Sequence, residues 1–335
     1  MKEMYTAQSS SSESTPKMPL ISVVTPAFNE ADNLPLLYDK LCQVLAFHNI
    51  NWEWVVVDDH SVDETYEVIA ALAQQDSRVR GLRFARNFGS HTALMCGLRY
   101  AKGDCAVVMA ADLQDPPEIL PDLFVKWHEG AHVVWAVRRQ RNGISTINLG
   151  FSRLYYYVMR HVVGMKEMPS TGADFFLIDK TIIKALRQFH ESHVSVLALI
   201  TWMGYRQTYI HYDKQERVHG KSGWTIEKKI RMVLDSVTSF SYLPIRLMSY
   251  VGMIVAILGL LYAGYIIGYA VFGYALFGEP PEGWSSIMVV VLVLGGIQML
   301  MMGILGEYLW RSLDESRQRP HYLIETATDQ LSDKT

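Results

Sequence analysis

Val107-Val108-Met109-Ala110-Ala111-Asp112-Leu113-Gln114-Asp115-Pro116-Pro117-Glu118 runs from an apolar strand through an acidic turn into the start of a helix. Asp112 and Gln114 stand two apart, and alternate residues of an extended turn point the same way. Their two hard oxygens converge on one Mg²⁺ or Mn²⁺, an ion that keeps open positions for substrate phosphates. The stretch is therefore a candidate seat for a nucleotide diphosphate. Asp115-Pro116-Pro117-Glu118 also makes a good helix start, with Asp115 as N-cap, Pro116 in the first helical position and Glu118 closing a capping box. Asp115 is thus either a cap or a site residue.

Upstream, strands and helices alternate. Ile21–Thr25 is a β-rich run that Pro26 should stop. Leu34, Leu37, Tyr38, Leu41, Val44 and Leu45 follow at helical spacing. Trp54–Val57 is a buried strand ending in Asp58-Asp59, and Ser61-Val62-Asp63-Glu64 reads as a capping box for the helix carrying Val68, Ile69 and Leu72. Val79–Phe84 is a third strand, Ala93–Ala101 a helix of small residues and Cys105–Met109 a fourth strand. This alternation predicts a parallel sheet covered on both faces. Ligands of such sheets bind at the carboxyl ends of the strands, where Pro26–Glu30, Asp58-Asp59 and Asp112–Gln114 fall. No GxGxxG follows the first strand and no GxxxxGK[ST] occurs, which argues against dinucleotide oxidoreductases and P-loop NTPases. Without a glycine cradle, phosphates need the ion, with Arg86 and later bases, as counter-charge.

A length of 335 residues allows two domains or one large one. The formal net charge of −3 implies no attraction to nucleic acid. Cys42, Cys96 and Cys105 lie in apolar patterns without CxxC pairing and read as buried thiols in a reducing compartment. Met1–Lys17 is Ser-rich and polar, a disordered leader with no apolar signal core. Arg138, Arg139 and Arg141 form a basic cluster, and Ser145–Val163 reads as a mixed helix. Asp174, before the apolar run Phe175–Ile178, is either a turn residue or functional. Glu216–Trp224 holds two glycines and three bases, a loop able to close over anionic phosphate or a solvated linker. Thr225–Phe240 is amphipathic and suits either a membrane interface or a packed surface.

Leu247–Phe277 and Ser285–Leu305 each hold a charge-free stretch long enough to span, since about 20 residues cross a bilayer. Lys228, Lys229, Arg231 and Arg246 precede the first span, and Arg311, Arg317 and Arg319 follow the second. The acidic turn Gly278–Trp284 between them carries no base. The positive-inside rule places both ends in the cytoplasm. Gly295-Gly296, Gly303 and Gly306 suit close helix contact, between protomers or within one chain. A nucleotide site beside a membrane hairpin points to transfer of an activated group, such as a sugar, to a lipid-bound acceptor.

These motifs, together and in order, resemble glycosyltransferase family 2 of the GT-A fold. More closely, the chain resembles bacterial polyprenyl-phosphate glycosyltransferases, the group containing dolichol-phosphate mannose synthase and the undecaprenyl-phosphate glucosyltransferases of O-antigen modification. The likeness rests on Pro26–Glu30, Val57–Thr65, Arg86–Gly89, Ala111–Glu118, Gly172–Phe175, Arg217–Ser222 and Leu305–Tyr308, and it covers Pro19 to Tyr322. It implies an α/β GT-A Rossmann-like nucleotide-sugar domain followed by a two-helix transmembrane hairpin. The corresponding division is a leader at 1–18, a catalytic domain at 19–224, an interface helix at 225–243, two transmembrane helices at 244–309 and a cytoplasmic tail at 310–335.

The same resemblance implies that Pro26, Phe28, Glu30 and Asp59 hold base and ribose, with Asp58 near the nucleotide and Asp112 and Gln114 on the metal. It makes Asp174 the catalytic base or an acceptor-site carboxylate, and Arg217, with Lys221 and Ser222, the loop on the phosphates. Two departures stand out. Ala110 occupies a position where many relatives carry a first Asp, and Gly223 follows Ser222 where many have Lys. The expected reaction moves one sugar, with UDP-glucose first and UDP-N-acetylglucosamine next, to undecaprenyl phosphate at the cytoplasmic face of the inner membrane, for cell-envelope glycan modification. Tetramers among related proteins make a homo-oligomer an expectation. A processive polysaccharide synthase would need a Gln-x-x-Arg-Trp motif and more spans. A non-catalytic membrane scaffold is favoured only by Ala110.

Overall fold

The structure is a computed structural model, and it describes residues 18–139, 157, 159–160, 174–189, 195–215, 241, 243–276 and 283–328. Ser145–Val163, apart from residues 157 and 159–160, lies outside the described residues, as do the leader, Arg141, Arg217, Lys221, Ser222, the helix predicted over Thr225–Phe240 and residues 277–282 of the hairpin turn.

One mixed eight-stranded sheet organises the chain, in the order β7-β5-β6-β4-β1-β2-β3-β8. Its central strands are β1 (Leu20–Ala27), β2 (Asn51–Asp58), β3 (Val79–Phe84) and β4 (Cys105–Val108), all parallel. They are linked by α1 (Asn33–Phe47), α2 (Thr65–Gln75) and α3 (Ser90–Tyr100). Then come α4 (Leu120–His128), β5 (Val133–Arg138), β6 (Phe175–Asp179), α5 (Lys180–Leu186), α6 (Val196–Trp202) and β7 (Gln207–Tyr212).

The parallel expectation holds for β1 to β4, the strands it covers, and two antiparallel strands lie beyond them. β6 runs antiparallel to both β4 and β5, and β8 (Ile324–Ala327) runs antiparallel to β3. Pro26 does not stop β1, which continues to Ala27 beside β2. The ladder to β4 has already ended at Val24, so the missing N–H of Pro26 breaks no bond on that side.

The central strands are apolar along their whole length because both faces are covered. Val23, Trp54, Val56 and Val107 pack toward α1, α2 and α4, while Val24, Val55, Val57 and Val108 pack toward α3, α5 and α6. On α1 the pattern Leu34, Leu37, Leu41, Leu45 is fully buried. Burial of each such leucine contributes about 2 kcal/mol gross. The three cysteines are free; Cys96 and Cys105 are buried as expected, while Cys42 is half-buried.

On α3, Gly97 has no room for a side chain. A Cβ there would stand 2.4 Å from Val24 Cγ1 and 3.3 Å from Val57 Cγ2. Gly97→Ala should cost about 1–3 kcal/mol by overpacking, against about 1 kcal/mol gained in helix propensity. A net loss in detergent-solubilised chemical denaturation is expected, and a gain would show that this face is not tightly packed.

Two long helices follow the sheet domain: α7 (Leu243–Leu276) and α8 (Trp284–Ser316). Both contain windows long and apolar enough to cross a membrane, Ile245–Tyr262 and Val289–Ser316. Leu260 and Met299 are 73% and 72% exposed, side chains suited to lipid. At about 1.5 Å per residue each helix is roughly 50 Å long, more than the hydrocarbon core, so its ends extend into water. A Cβ on Gly252 would touch Met301 at 3.4 Å, whereas one on Gly295, Gly296, Gly303 or Gly306 would meet nothing within 4 Å among the described residues. Among those residues, contact within this hairpin is therefore made at Gly252 and not at the α8 glycines.

Beyond α8 the chain returns to the sheet. Only eight residue steps separate Ser316 from Ile324, a reach of at most about 28 Å. The lower end of α8 is thus tethered near the β3 edge.

Candidate active site at the carboxyl ends of the strands

The topology brings the candidate residues to one edge. β1, β2, β4, β5 and β7 end there, and β6, running the other way, begins there. Asp58 closes β2, the Asp112–Asp115 turn follows β4, Arg138 closes β5, Asp174 precedes β6 and Tyr212 closes β7. β2 and β4 flank β1, so Asp58 and the acidic turn are about 10 Å apart, a span that nucleoside and diphosphate would fill.

The turn after β4 is strained. Leu113 is a buried leucine with φ 59, a conformation costing a bulky side chain about 1–3 kcal/mol. Asp112, 5% exposed, fixes it by accepting the Gln114 amide at 3.2 Å. Gln114 is tied to the segment after β7. Its carbonyl accepts the Gln215 amide at 2.9 Å, and its side-chain nitrogen donates to the Gln215 carbonyl at 3.4 Å. That second bond turns the amide nitrogen toward the protein and leaves the side-chain oxygen as the donor a cation needs.

One carboxylate and one amide oxygen fit an ion that completes its shell from phosphate and water. No cluster of three His, Cys, Asp or Glu able to hold a metal occurs among the described residues. The half-buried Ala110 supplies no ligand.

Asp115 is not a helix cap. The short 3₁₀ turn Pro117–Ile119 has Pro116 before it and no side-chain cap, and Glu118 is exposed. Asp115 is instead 1% exposed and accepts the Tyr212 hydroxyl, with Lys214 Nζ at 3.7 Å. Burial pushes its carboxyl pKa up, against the opposing pull of Lys214 and the Tyr212 bond. Arg138 adds its positive charge to this group and reaches Asp174 at 3.3 Å. Asp174 itself is 66% exposed on its side chain. His91, at the start of α3, has a buried Nδ1 without a partner among the described residues. Burial depresses its imidazole, and the charge of Asp174 opposes that.

The second group lines the β1 and β2 ends. Asn29 (φ 56) and His60 (φ 60) turn two loops through left-handed backbone, and the loops lace together. The Asn29 amide donates to Ser61 Oγ at 2.9 Å, the Val62 amide to Asn29 Oδ1 at 3.0 Å and the Glu30 amide to Thr65 Oγ1 at 2.9 Å. Ser61 therefore does not cap α2. It serves this lacing and donates both its amide and its hydroxyl to the fully buried Asp58, while Asp63 accepts the Thr65 amide.

Asp59 does not point outward. Its two oxygens accept the amides of Phe88 (2.6 Å) and Gly89 (2.9 Å), and burial, opposed by those bonds, raises its pKa. It thus shapes the loop on which Arg86, exposed and 4.5 Å over the Phe88 ring, is carried. Pro26 lies in β1 opposite Val57, Glu30 Oε2 accepts the Asn33 side-chain amide at 2.5 Å, and Phe28 is 46% exposed. Tyr212, Lys214 and His91 escaped sequence reading. Arg138 was visible there only as part of a basic cluster.

Residues 22–187 match the model described as Glycosyl transferase family 2. An uncharacterized glycosyltransferase of Synechocystis sp. is 36% identical over 304 residues, 91% of this chain and 94% of that protein. The bactoprenol glucosyl transferase of Shigella phage SfV is 33% identical over 305 residues, 91% and 98% of the respective lengths. Among solved structures, glucosyl-3-phosphoglycerate synthase from Mycobacterium tuberculosis, in complex with Mn²⁺, UDP-glucose and phosphoglyceric acid, aligns with a TM-score of 0.48 and 15% identity, covering 66% of this chain and 79% of that one.

Proposed function

The chain belongs to glycosyltransferase family 2, and from that premise we propose that it transfers one glucose from UDP-glucose to undecaprenyl phosphate at the cytoplasmic face of the inner membrane. The observation that carries this reading is the joining of an acid–amide turn at the strand ends to an apolar hairpin tethered through β8. A hairpin whose lower end is held by the sheet domain keeps both of its ends on that domain's side. The strand ends then serve an acceptor whose phosphate stands at the surface while its tail stays in lipid. The names of relatives such as the phage bactoprenol glucosyl transferase support the same acceptor.

In this reading Phe28 stacks on the base, and the laced Asn29 and Ser61 loops, with Asp58 beneath, shape its slot. Asp112 and Gln114 would hold Mg²⁺ or Mn²⁺, which when bound neutralises charge building on the departing diphosphate. Arg138 and Lys214 stand beside them as the cationic wall for the acceptor phosphate, and Asp174 orients Arg138. An acceptor oxygen attacks the anomeric carbon, the bond to the β-phosphate oxygen breaks, and its electron pair leaves with UDP. A phosphate acceptor is already ionised, so placement and electrostatics supply most of the acceleration.

A donor screen with radiolabelled UDP-glucose and UDP-N-acetylglucosamine against undecaprenyl phosphate tests the proposal. A lipid-extractable product carrying one sugar, formed fastest from UDP-glucose, is expected. Label confined to the aqueous phase would overturn it, and a ladder of polymer would indicate repeated addition.

A further inference from the structure

Tyr322 to Thr328, the segment behind the second apolar helix, is built into the sheet edge next to the nucleotide loops. Tyr322 stacks on Phe84 with ring centroids 5.2 Å apart, and the Ala85 amide donates to the Leu323 carbonyl at 2.9 Å. At the far end Thr328 Oγ1 accepts the Gly81 amide at 2.8 Å. Between these anchors Glu325 Oε2 lies 3.3 Å from Arg83 Nε and 3.8 Å from His60 Nδ1.

Arg83 is the hub. Its guanidinium donates to the Ser61 carbonyl at 3.3 Å and stands 3.7 Å from Asp58 Oδ2. That oxygen is buried and has no hydrogen-bond partner among the described residues, so Arg83 is its counter-charge. A continuous polar chain thus runs from Glu325 through Arg83, Asp58 and Ser61 to Asn29.

We propose that Glu325 and Arg83 are positioning residues for the donor nucleotide, and that the strap behind the membrane hairpin sets donor affinity by holding the Asp58–Ser61 turn. Neither residue touches the reacting atoms. The inference rests on the glycosyltransferase reading of the strand-end site and adds to it a route by which the seating of the hairpin reaches the nucleotide slot. A buried carboxylate that loses its cation cannot keep its place unchanged, and its movement disturbs the turn that Asn29 leans on. Glu325 acts at one remove and is half-exposed, so its effect is smaller.

Full-length protein in nanodiscs decides this, by donor KM and kcat together with calorimetric binding of UDP. Arg83→Gln should raise donor KM and weaken UDP binding by about tenfold or more, and Glu325→Gln by about threefold, with kcat at saturating donor within about twofold of wild type. Thr328→Val loosens the same strand without touching Arg83. It should lower thermal stability and leave donor KM unchanged. Unchanged KM and UDP affinity in both Arg83→Gln and Glu325→Gln, with wild type binding UDP, overturns the strap's role alone. Wild type that binds no UDP removes the reading of the site on which it rests. A Thr328→Val protein with the same KM shift as Glu325→Gln also overturns the proposal, because edge stability would then explain both.

Discussion

Replacing Asp112 with asparagine lowers sugar transfer by about a thousandfold or more and leaves the fold intact. The side-chain oxygen of the introduced asparagine still accepts the Gln114 amide, the bond that Asp112 now makes at 3.2 Å. The strained turn at Leu113 therefore survives, and only the negative charge is lost. Where two side chains are the whole protein contribution to a divalent ion, losing the single carboxylate removes most of its hold. Activity per folded molecule, with near-UV circular dichroism on the same sample, checks this. An asparagine variant with near-normal turnover would mean that Asp112 only shapes the turn. Asp112→Ala should lose both charge and turn, so a drop in activity there without the asparagine result would be ambiguous. The pair of variants separates the two roles.

Asp115→Ala should destabilise the protein by about 3–5 kcal/mol, the range for breaking a buried ionic group by removing one partner. The carboxylate is 1% exposed and holds the Tyr212 hydroxyl, with Lys214 nearby and Arg138 in the same group. Its removal leaves a buried phenol without its acceptor and Lys214 without its counter-charge. Asp115→Asn keeps an oxygen for Tyr212 and should cost about 1–2 kcal/mol. Denaturant unfolding in detergent, followed by tryptophan fluorescence, measures both. Equal stability of the alanine variant and wild type would show that Tyr212 and Lys214 find other partners, and that this cluster does not brace the strand ends.

Much of the site was legible in the sequence because it follows local rules. Strand alternation placed Asp58 and Asp112 at the sheet's carboxyl edge, and the structure puts both there. The capping readings failed for one shared reason. Ser61 and Asp115 stand at the right offsets before helices, but each finds a partner elsewhere in the fold, Asn29 for one and Tyr212 for the other. Capping motifs specify what a side chain can bond locally, not what long-range neighbours compete for it. Asp59, expected against base and ribose, is occupied by the Phe88 and Gly89 amides.

By itself the sequence determined the β–α alternation, the two apolar helices and the acid–amide turn, since each is written in residues a few positions apart whose periodicity fixes burial and direction. Tertiary structure alone decided that β6 and β8 run antiparallel, that Arg138 and Tyr212 close around Asp115, and that Glu325 reaches Arg83. Gly81 and Thr328 are 247 residues apart in sequence yet share a hydrogen bond. Edge pairing of that kind depends on which strand is left unpartnered once the rest of the sheet has formed. The four residues of β8 carry no periodic signal strong enough to announce it.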